Sequence, residues 1–500
     1  MKTKQILFSG VLAAFALPQM ASATNGMNME GYGAMALGMG GASMAYDNGA
    51  AAMMNNPATL GLMDEGSRLD LAFGFLMPEV HSSATGVSSR SSADAFGGPA
   101  FGWIRKQNGL VYGVGMYGQG GMGAEYTDSS AYGTLRNFTG AGGAVVSDPG
   151  WKNRSEVGVG RVIFPLAMEV RDGLIVSGSL DYVWAGMDIK WLMDGAHFGN
   201  LLPGQSNRFG SASGSLVTNF NNNFNALGFT DVNFGYFDFS NDNKFSGRAS
   251  GTGYAGKLGL VYKVDPRLTF GATYHPKTQL SDLETDSNTT VGFNVYVPGT
   301  SLIPGATPGA NNYIPITGKM TVKNFQWPET YGFGLAWQAN GQWMIATDYK
   351  RINWSGAMKS FNMHFVANAA QGNAMAAGFA GNVLDIEYKQ EWKDQHVVMI
   401  GAAYKATDAM TLRMGVNLAN NPVPDDYVTP LFPAIVTSHL MLGASYQISK
   451  ASSLDFALTH VPKVTVTNHW ADVSGGGGAT SNQTISMQQT NGQLVYSYRY

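Results

Sequence analysis

Short segments in which apolar side chains alternate with small or polar ones recur along this chain. Successive side chains of a strand point to opposite faces, so strict alternation gives a strand one apolar face and one mixed face. The clearest examples are "HLMLGASYQI" (439–448), "LTFGATYH" (268–275), "TLRMGVNL" (411–418), "SLDFALTH" (453–460) and the C-terminal "LVYSYRY" (494–500). These segments predict an all-β fold whose strands have different surroundings on their two faces.

The first 23 residues, "MKTKQILFSGVLAAFALPQMASA", have the pattern of a secretory signal peptide. Lys2 and Lys4 precede an apolar run over residues 6–17, and Ala21-Ser22-Ala23 forms a small-x-small cleavage site. The apolar run is too short to span a bilayer, which takes about 20 residues. We therefore expect an exported chain that starts at Thr24.

The composition points to a membrane protein without membrane helices. Charged residues make up 13% of the chain, against roughly 25% in soluble domains. No later apolar stretch approaches the length of about 18 residues that a spanning helix needs. A closed β-barrel is the remaining structure that satisfies every backbone group in lipid. A net charge of −3 argues against a nucleic-acid partner, and the absence of cysteine excludes disulfide and thiolate chemistry.

The connections between the alternating segments are alternately short and long. We count fourteen predicted strands, joined in turn by short turns such as "RDG" (171–173) and by long stretches such as 192–253 and 281–315. Outer-membrane barrels have short periplasmic turns and long extracellular loops. The sequence therefore predicts a 14-stranded antiparallel transmembrane β-barrel over residues 67–500, located in the bacterial outer membrane.

Residues 24–66 precede the first predicted strand and are rich in Gly, Ala and Met. The segment contains the run Gly38-Met39-Gly40-Gly41-Ala42, then Asp47, then Asn56-Pro57-Ala58. With "WPETYGFGLAW" and "TLRMGVNLANNPVPDD" further along, it resembles the FadL and TodX group of outer-membrane transporters for long-chain fatty acids and hydrocarbons. The resemblance implies that residues 24–66 form an N-terminal hatch in the barrel lumen. It assigns the hatch motif to Gly38, Gly40, Gly41, Asp47, Asn56, Pro57 and Ala58.

The same resemblance implies a passive channel for hydrophobic small molecules. Such a ligand binds among the extracellular loops and leaves sideways into the membrane when the hatch shifts. An inward kink of the third strand would open this exit. Here that strand continues as "YGQGGMGAEY", where Gly118, Gly120 and Gly121 can interrupt a ladder. Lys190 and Lys359, at the outward ends of strands, are the candidates for binding a ligand carboxylate.

Other functions stay open at this point. A general porin for small polar solutes predicts a wide, charged lumen, whereas a barrel lipase or phospholipase predicts hydrolysis that depends on one Ser or His. A structural or adhesin role would depend on the long loops alone. We expect a monomer without enzymatic activity, cofactor, metal or nucleic acid. Its expected partners are a hydrophobic ligand, outer-membrane lipid with lipopolysaccharide, and the outer-membrane assembly machinery.

Overall fold

The computed structural model describes residues 25–84, 87–126, 151–204, 209–226, 232–239, 249–300, 304–469 and 482–500, and the two short strand segments 138–139 and 145–146. The predicted signal peptide lies outside the described residues. Two strands of the N-terminal part, β1 Gly66–Ala84 and β2 Val87–Arg90, are followed by β3 Phe96–Gln107, β4 Leu110–Tyr126, β5 Phe138–Thr139, β6 Val145–Val146, β7 Asn153–Arg171 and β8 Leu174–Asp194.

The middle of the chain adds shorter strands. They are β9 Gly210–Ser213, β10 Val232–Asp238, β11 Ala249–Lys263, β12 Leu268–His275, β13 Gln279–Leu280, β14 Leu283–Glu284, β15 Thr289–Val297, β16 Ala310–Lys323, β17 Thr330–Gln338 and β18 Trp343–Ile352. The C-terminal part contributes β19 Ser360–Ala367, β20 Val383–Lys389, β21 Gln395–Lys405, β22 Met410–Ala419, β23 Ser438–Gln447, β24 Ser452–Asn468 and β25 Gln483–Arg499.

The helices are short. The α-helices are α1 Ala34–Gly38, α2 Gly195–Asn200 and α3 Ser215–Ala226, and the 3-10 helices are Ala50–Met53, Pro57–Leu62, Trp354–Gly356, Met375–Phe379 and Asp425–Tyr427. Within the described ranges, none of the helices has the length and apolar character needed to cross a bilayer.

Antiparallel pairing closes the sheet into a barrel, which confirms the predicted all-β class. The described pairings form a closed ring of 18 strands. The ring follows the order β1, β3, β4, β7, β8, β10, β15, β16, β14, β11, β12, β17, β18, β21, β22, β23, β24 and β25, and β25 pairs again with β1.

The predicted count of fourteen strands is therefore wrong. The stretches 192–253 and 281–315, which the sequence pattern treats as loops, supply paired strands between β8 and β11. Below these inserted strands, β8 also pairs directly with β11, so the insertion belongs to the end that carries the long connections. The stretch 316–339 is one of the fourteen predicted strands, but in the structure it contains two strands. Asn324, which adopts a left-handed conformation (φ 58°), lies between β16 and β17.

The alternation places apolar side chains on the outside of the barrel. On β23, Leu442 is 61% exposed, whereas its neighbour Met441 is 2% exposed. The last strand shows the same arrangement, because Leu494, Tyr496 and Tyr498 point outward while Val495 and Ser497 are buried. In water this surface would be unfavourable, but a lipid-facing barrel wall requires it.

Two irregular segments fill the interior. The N-terminal segment, residues 25–65, is almost entirely buried against the inner faces of strands from around the ring. The segment Val428–Val436, between β22 and β23, is buried at the opposite end, where the long connections lie. The lumen is therefore packed with protein at both ends.

Candidate functional site

Backbone-to-backbone contact joins the N-terminal segment to the wall at the predicted Gly38 and Gly40. A Cβ built on Gly38 would lie 3.0 Å from the Cα of Gly443, and one on Gly40 would lie 2.5 Å from the carbonyl oxygen of Val416. Wall glycines face them, since a Cβ on Gly415 would lie 2.1 Å from the Gly40 nitrogen. Glycine on both sides removes the side chains that would otherwise hold the segment away from the wall.

The third predicted hatch glycine, Gly41, lies closest to another residue of the N-terminal segment rather than to the wall. A Cβ there would meet the Glu30 carbonyl oxygen at 2.4 Å, and the residue has φ 88°. Directly after it, the wall carboxylate Asp348 accepts hydrogen bonds from the backbone nitrogens of Ser43 (2.6 Å) and Met44 (3.0 Å). Asp348 is a buried residue of β18, so a carboxyl group of the wall fixes this turn of the segment.

Asp47 belongs to a second charged contact with the wall. Its Oδ1 accepts from the Gly49 nitrogen at 3.0 Å and lies 3.7 Å from Nη1 of the buried Arg68. Arg68 donates through Nε to Asp70 at 2.7 Å, and Asp70 in turn accepts from the Ala50 nitrogen at 2.7 Å. The segment is thus tied to the start of β1 by the Asp47–Arg68 ion pair and by one charge-assisted hydrogen bond, from Ala50 to Asp70, of a kind stronger than neutral ones.

The Asn56-Pro57-Ala58 motif begins the 3-10 helix Pro57–Leu62. Asn56 is the N-cap: its Oδ1 accepts from the Ala58 nitrogen at 3.1 Å, and Pro57 occupies the first helical position. Its Nδ2 donates to the Met44 oxygen (2.8 Å) and to the Leu260 oxygen of β11 (3.1 Å). Asn56 therefore connects two turns of the segment to the barrel wall.

The glycines of the predicted kink lie where β4 leaves the regular ladder. The register between β4 and β7 shifts between Gly118 and Gly120, so Gln119 is a bulge. Gly120 has φ 152°, and a Cβ there would lie 2.1 Å from the Met27 oxygen. The same oxygen accepts from the Gly121 nitrogen at 2.9 Å. All three predicted glycines thus lie at the bulge, and Gly120 and Gly121 contact the N-terminal segment.

One edge of β4 has a gap beside this bulge. β4 pairs with β7 from Leu110 to Tyr126, but with β3 only from Leu110 to Met116. Over residues 117–126 no described pairing joins β4 to β3, and on this edge Gly120 forms a β-bridge with Asn28 of the N-terminal segment instead. Above the gap, Ser92 donates its nitrogen to the Glu125 oxygen at 2.7 Å. We call this interruption the β3–β4 gap.

Two cavities are relevant to the gap. The inner cavity lies between the N-terminal segment and the wall, and Phe101 and Tyr117, at the lower margin of the gap, line it together with Met35. The outer pocket lies among the extracellular strands. It is lined by Ile189, Trp191, Leu201, Phe237, Phe239, Met363, Ile386, Tyr388, Leu431 and Phe432, and Tyr388 is the single residue of this set with a hydroxyl.

The two predicted carboxylate-binding lysines do not come together at this pocket. Lys190 is buried, lies 3.4 Å from the Asp238 carboxylate and pairs across the strands with Arg154. It points to the other side of β8 from Ile189 and Trp191, which line the outer pocket. Lys359 is exposed between the 3-10 helix Trp354–Gly356 and β19.

The structure also reveals polar residues that the sequence patterns did not single out. Asn28 accepts through Oδ1 from Gln119 (3.1 Å), Trp327 (3.1 Å) and the Tyr32 hydroxyl (3.3 Å), so it joins the N-terminal segment to the bulge. Nothing in the local sequence around Asn28 marks it, because its partners lie far away along the chain.

A buried charge cluster was likewise missed. Arg161 Nη1 lies 2.9 Å from Asp181 Oδ2, and Lys257 Nζ contacts the same oxygen. These residues occupy neighbouring strands β7, β8 and β11 and face the lumen. Charged residues at inward positions of predicted strands would have been the available signal.

Comparisons with known proteins agree with this architecture. The profile of the family described as outer membrane protein transport protein (OMPP1/FadL/TodX) matches residues 167–499. The toluene transporter TodX of Pseudomonas putida superposes with a TM-score of 0.75 at 26% identity, covering 95% of this chain and 99% of that one. The toluene transporter TbuX of Ralstonia pickettii gives 0.69 at 29% identity, again covering 95% and 99%.

Curated relatives match over shorter ranges. The long-chain fatty acid transport protein of Escherichia coli is 22% identical over 213 residues, which is 42% of this chain. The chain covers between 36% and 43% of the length of the first curated relatives that it matches. These matches confirm the predicted resemblance and the predicted outer-membrane localisation. With a profile match over most of its length and a barrel of the same architecture, the chain belongs to the OMPP1/FadL/TodX family of outer-membrane transport proteins.

Proposed function

We propose that this protein lets hydrophobic small molecules diffuse across the outer membrane and releases them sideways through the barrel wall. The observation that carries the proposal is the β3–β4 gap, which adjoins the inner cavity. A strand edge without a neighbouring wall strand is costly in a membrane barrel, because lipid offers no hydrogen bonds to the backbone. The gap lies beside a cavity that Phe101, Tyr117 and Met35 line together with polar residues, namely Asn48, Asp70, Asp455 and Gln493.

The lining of the outer pocket supports a neutral ligand. Its side chains are apolar apart from the Tyr388 hydroxyl and the indole N–H of Trp191, and the neighbouring Lys190 points away and pairs with Asp238. A carboxylate buried there without a partner would lose several kcal/mol of hydration. TodX and TbuX, which are toluene transporters by their descriptions, are consistent with this preference. We therefore propose aromatic hydrocarbons of the size of toluene as the first substrate class, with fatty acids second.

The N-terminal segment acts as a movable hatch in this proposal. It blocks the lumen beneath the outer pocket, and its contacts with the wall at Asp348, Asp70 and Leu260 are hydrogen bonds rather than a continuous sheet. A single hydrogen bond contributes about 1 kcal/mol between neutral groups and about 1.5–3 kcal/mol when one partner is charged, so such bonds can be exchanged one at a time. A lumen filled by the hatch argues against the general porin, which requires an open aqueous passage.

The first experiment is uptake of radiolabelled toluene and, separately, oleate by cells with and without the protein. We expect toluene uptake to depend on the protein and to exceed the protein-dependent uptake of oleate. The amount of folded barrel is compared by its heat-modifiable mobility in gels. A liposome-swelling assay with a small sugar serves as the control. Swelling with the sugar, without uptake of either hydrophobic probe, would replace this proposal with the porin function.

Hydrolysis is tested on the same preparations. Release of free fatty acid from phospholipid by the purified protein would favour the barrel lipase instead. We expect none, and we expect the transporter to act as a monomer without a cofactor.

A further inference from the structure

The extracellular segment Val428–Val436 is buried although it connects two strands at the outer end of the barrel. Val428, Leu431 and Phe432 are at most 2% exposed, and Ala434, Ile435 and Val436 are fully buried. A connecting segment normally runs over the surface, because a buried one must find partners for its backbone groups. Its position is therefore an exception that needs a physical reason.

The contacts of this segment reach the far side of the ring. It starts and ends at β22 and β23, yet Tyr126 at the end of β4 donates its hydroxyl to the Pro430 oxygen at 3.1 Å. Ser155 of β7 donates to the Leu431 oxygen. Since β24, β25, β1 and β3 separate β23 from β4 around the ring, the segment extends across the mouth of the barrel.

Single hydrogen bonds from strand side chains hold the segment in place. Besides the two donors from β4 and β7, Asn468 of β24 donates to the Val428 oxygen at 3.0 Å, and the side chains of Thr429 and Tyr388 are hydrogen-bonded to each other. Pro430 and Pro433 have no backbone N–H, and the nitrogens of Ala434 and Ile435 bond within the segment. Most of its attachment is apolar packing, such as that of Phe432 on Phe361 at a centroid distance of 5.0 Å. Such packing has no fixed direction, so the segment can shift as a unit.

The segment separates the outer pocket from the route to the gap. Leu431 and Phe432 form one wall of the outer pocket. On its other side the segment contacts Tyr126, the last residue of the β4 stretch that has no β3 partner. Among the described residues, the segment therefore lies between the outer pocket and the upper end of the β3–β4 gap.

We propose that Val428–Val436 is an extracellular plug that must move aside before a ligand passes from the outer pocket into the lumen. The inference rests on the transport function proposed above and adds a second gate, independent of the N-terminal hatch. Leu431 and Phe432 then serve two roles, since they contact the ligand in the pocket and block its way inward.

The test uses the absence of native cysteine in this chain. In the double variant Ser155→Cys/Leu431→Cys, a short bis-methanethiosulfonate reagent bridges the segment to β7 and is released by reductant. We expect the bridged protein to lose toluene uptake and the released protein to regain it. The matched control is Glu284→Cys/Lys319→Cys, which bridges an ion pair of 2.7 Å on the extracellular strands without touching the segment. Equal uptake in the bridged and released states of the test pair would overturn the plug.

A second measurement does not require uptake at all. In the single variant Leu431→Cys, labelling by a membrane-impermeant maleimide on intact cells reports how often the segment leaves its buried position. Adding Tyr126→Phe removes the hydrogen bond to Pro430 and should speed labelling by about fivefold. An unchanged labelling rate would overturn the plug, even if uptake of every probe failed and the transport function itself were wrong.

Discussion

The two edges of β4 behave differently although they belong to one strand. On the β7 side, paired residues run from Leu110 to Tyr126, interrupted at Gly113–Val114 and at the Gln119 bulge. On the β3 side, pairing stops at Met116. The bulge turns the strand, and the N-terminal segment bonds to it through Met27 and Gly121. β4 is therefore joined to β7 along one edge, whereas over residues 117–126 its other edge is separated from β3.

Bridging the open edge should have the largest effect. In Ala100→Cys/Tyr117→Cys, the two positions follow directly after the last β3–β4 pair, so a thiol bridge closes the lower end of the gap. We expect toluene uptake to fall to that of cells lacking the protein, and to return on reduction. The control bridges the sealed edge at Tyr112→Cys/Leu166→Cys, a registered β4–β7 pair whose side chains point outward. Uptake that persists in the bridged test pair would mean that the ligand leaves elsewhere.

Substitution of the glycine at the bulge should have the second largest effect. Gly120→Ala places a Cβ 2.1 Å from the Met27 oxygen in a backbone region that favours glycine. Strain of this kind is of the order of 1–3 kcal/mol. We expect faster amide hydrogen exchange over residues 25–29 and a lower free energy of unfolding. In the control, Gly178→Ala on β8 meets no atom closer than 3.8 Å and should change neither.

Removing the N-cap of the 3-10 helix Pro57–Leu62 has the next effect. It tests whether the part of the N-terminal segment that contacts β11 is held independently of β4. Asn56→Ala removes the hydrogen bonds to Met44 and Leu260 and the cap to Ala58. We expect a loss of about 1–2 kcal/mol in the local stability of residues 44–60, measured by hydrogen exchange. Combined with Pro57→Ala, it should reduce uptake without reducing the amount of barrel.

A matched variant separates this effect from general damage. Asn340→Ala removes two hydrogen bonds of a short turn, those from Gln342 and Trp343, at a site remote from the segment. Exchange over residues 44–60 should be unchanged in it. Equal exchange in Asn56→Ala and the unaltered protein would show that the motif is a turn signal without a role in holding the segment.

The smallest effect is expected at Lys359. Lys359→Ala changes an exposed side chain, and such surface substitutions usually shift stability by less than about 0.5 kcal/mol. We expect uptake of toluene and oleate to stay within about twofold of the unaltered protein. A selective loss of oleate uptake would instead restore the lysine as a carboxylate site and move the preferred substrate toward fatty acids.

The prediction of which strand face points outward depends on local pattern and was confirmed, whereas the predicted strand count depends on long-range pairing and was wrong. Alternation in "HLMLGASYQI" predicted the outward face of β23, because the two-residue period of a strand is a local property. The strand number failed at β10, β14 and β15, where short strands lie in stretches that the pattern assigned to loops. Alternating residues in "TVGFNVYV" (290–297) were available as a signal, but the stretch lay outside the expected spacing of membrane strands.

The candidate site likewise contains features that the sequence could predict and features that it could not. The glycines at 118, 120 and 121 could be predicted as a break in a ladder, since glycine weakens a strand wherever it occurs. Which edge would open could not be predicted, because it depends on Met27, Asn28 and Trp327, which meet only after folding. Lys190 was predicted from its position at a strand end, yet its partner Asp238 lies on a strand that the sequence pattern did not show.

By itself, the sequence determined that the chain forms an antiparallel barrel with a lipid-facing apolar surface and a glycine-rich segment before the first strand. Low charge, alternation and connection lengths are sufficient for this, since burial and strand period act on neighbouring residues. The tertiary structure decided that β4 is open toward β3 and that Val428–Val436 lies across the barrel mouth. Those features arise from hydrogen bonds and packing between residues hundreds of positions apart, and no local pattern encodes which distant group becomes the partner.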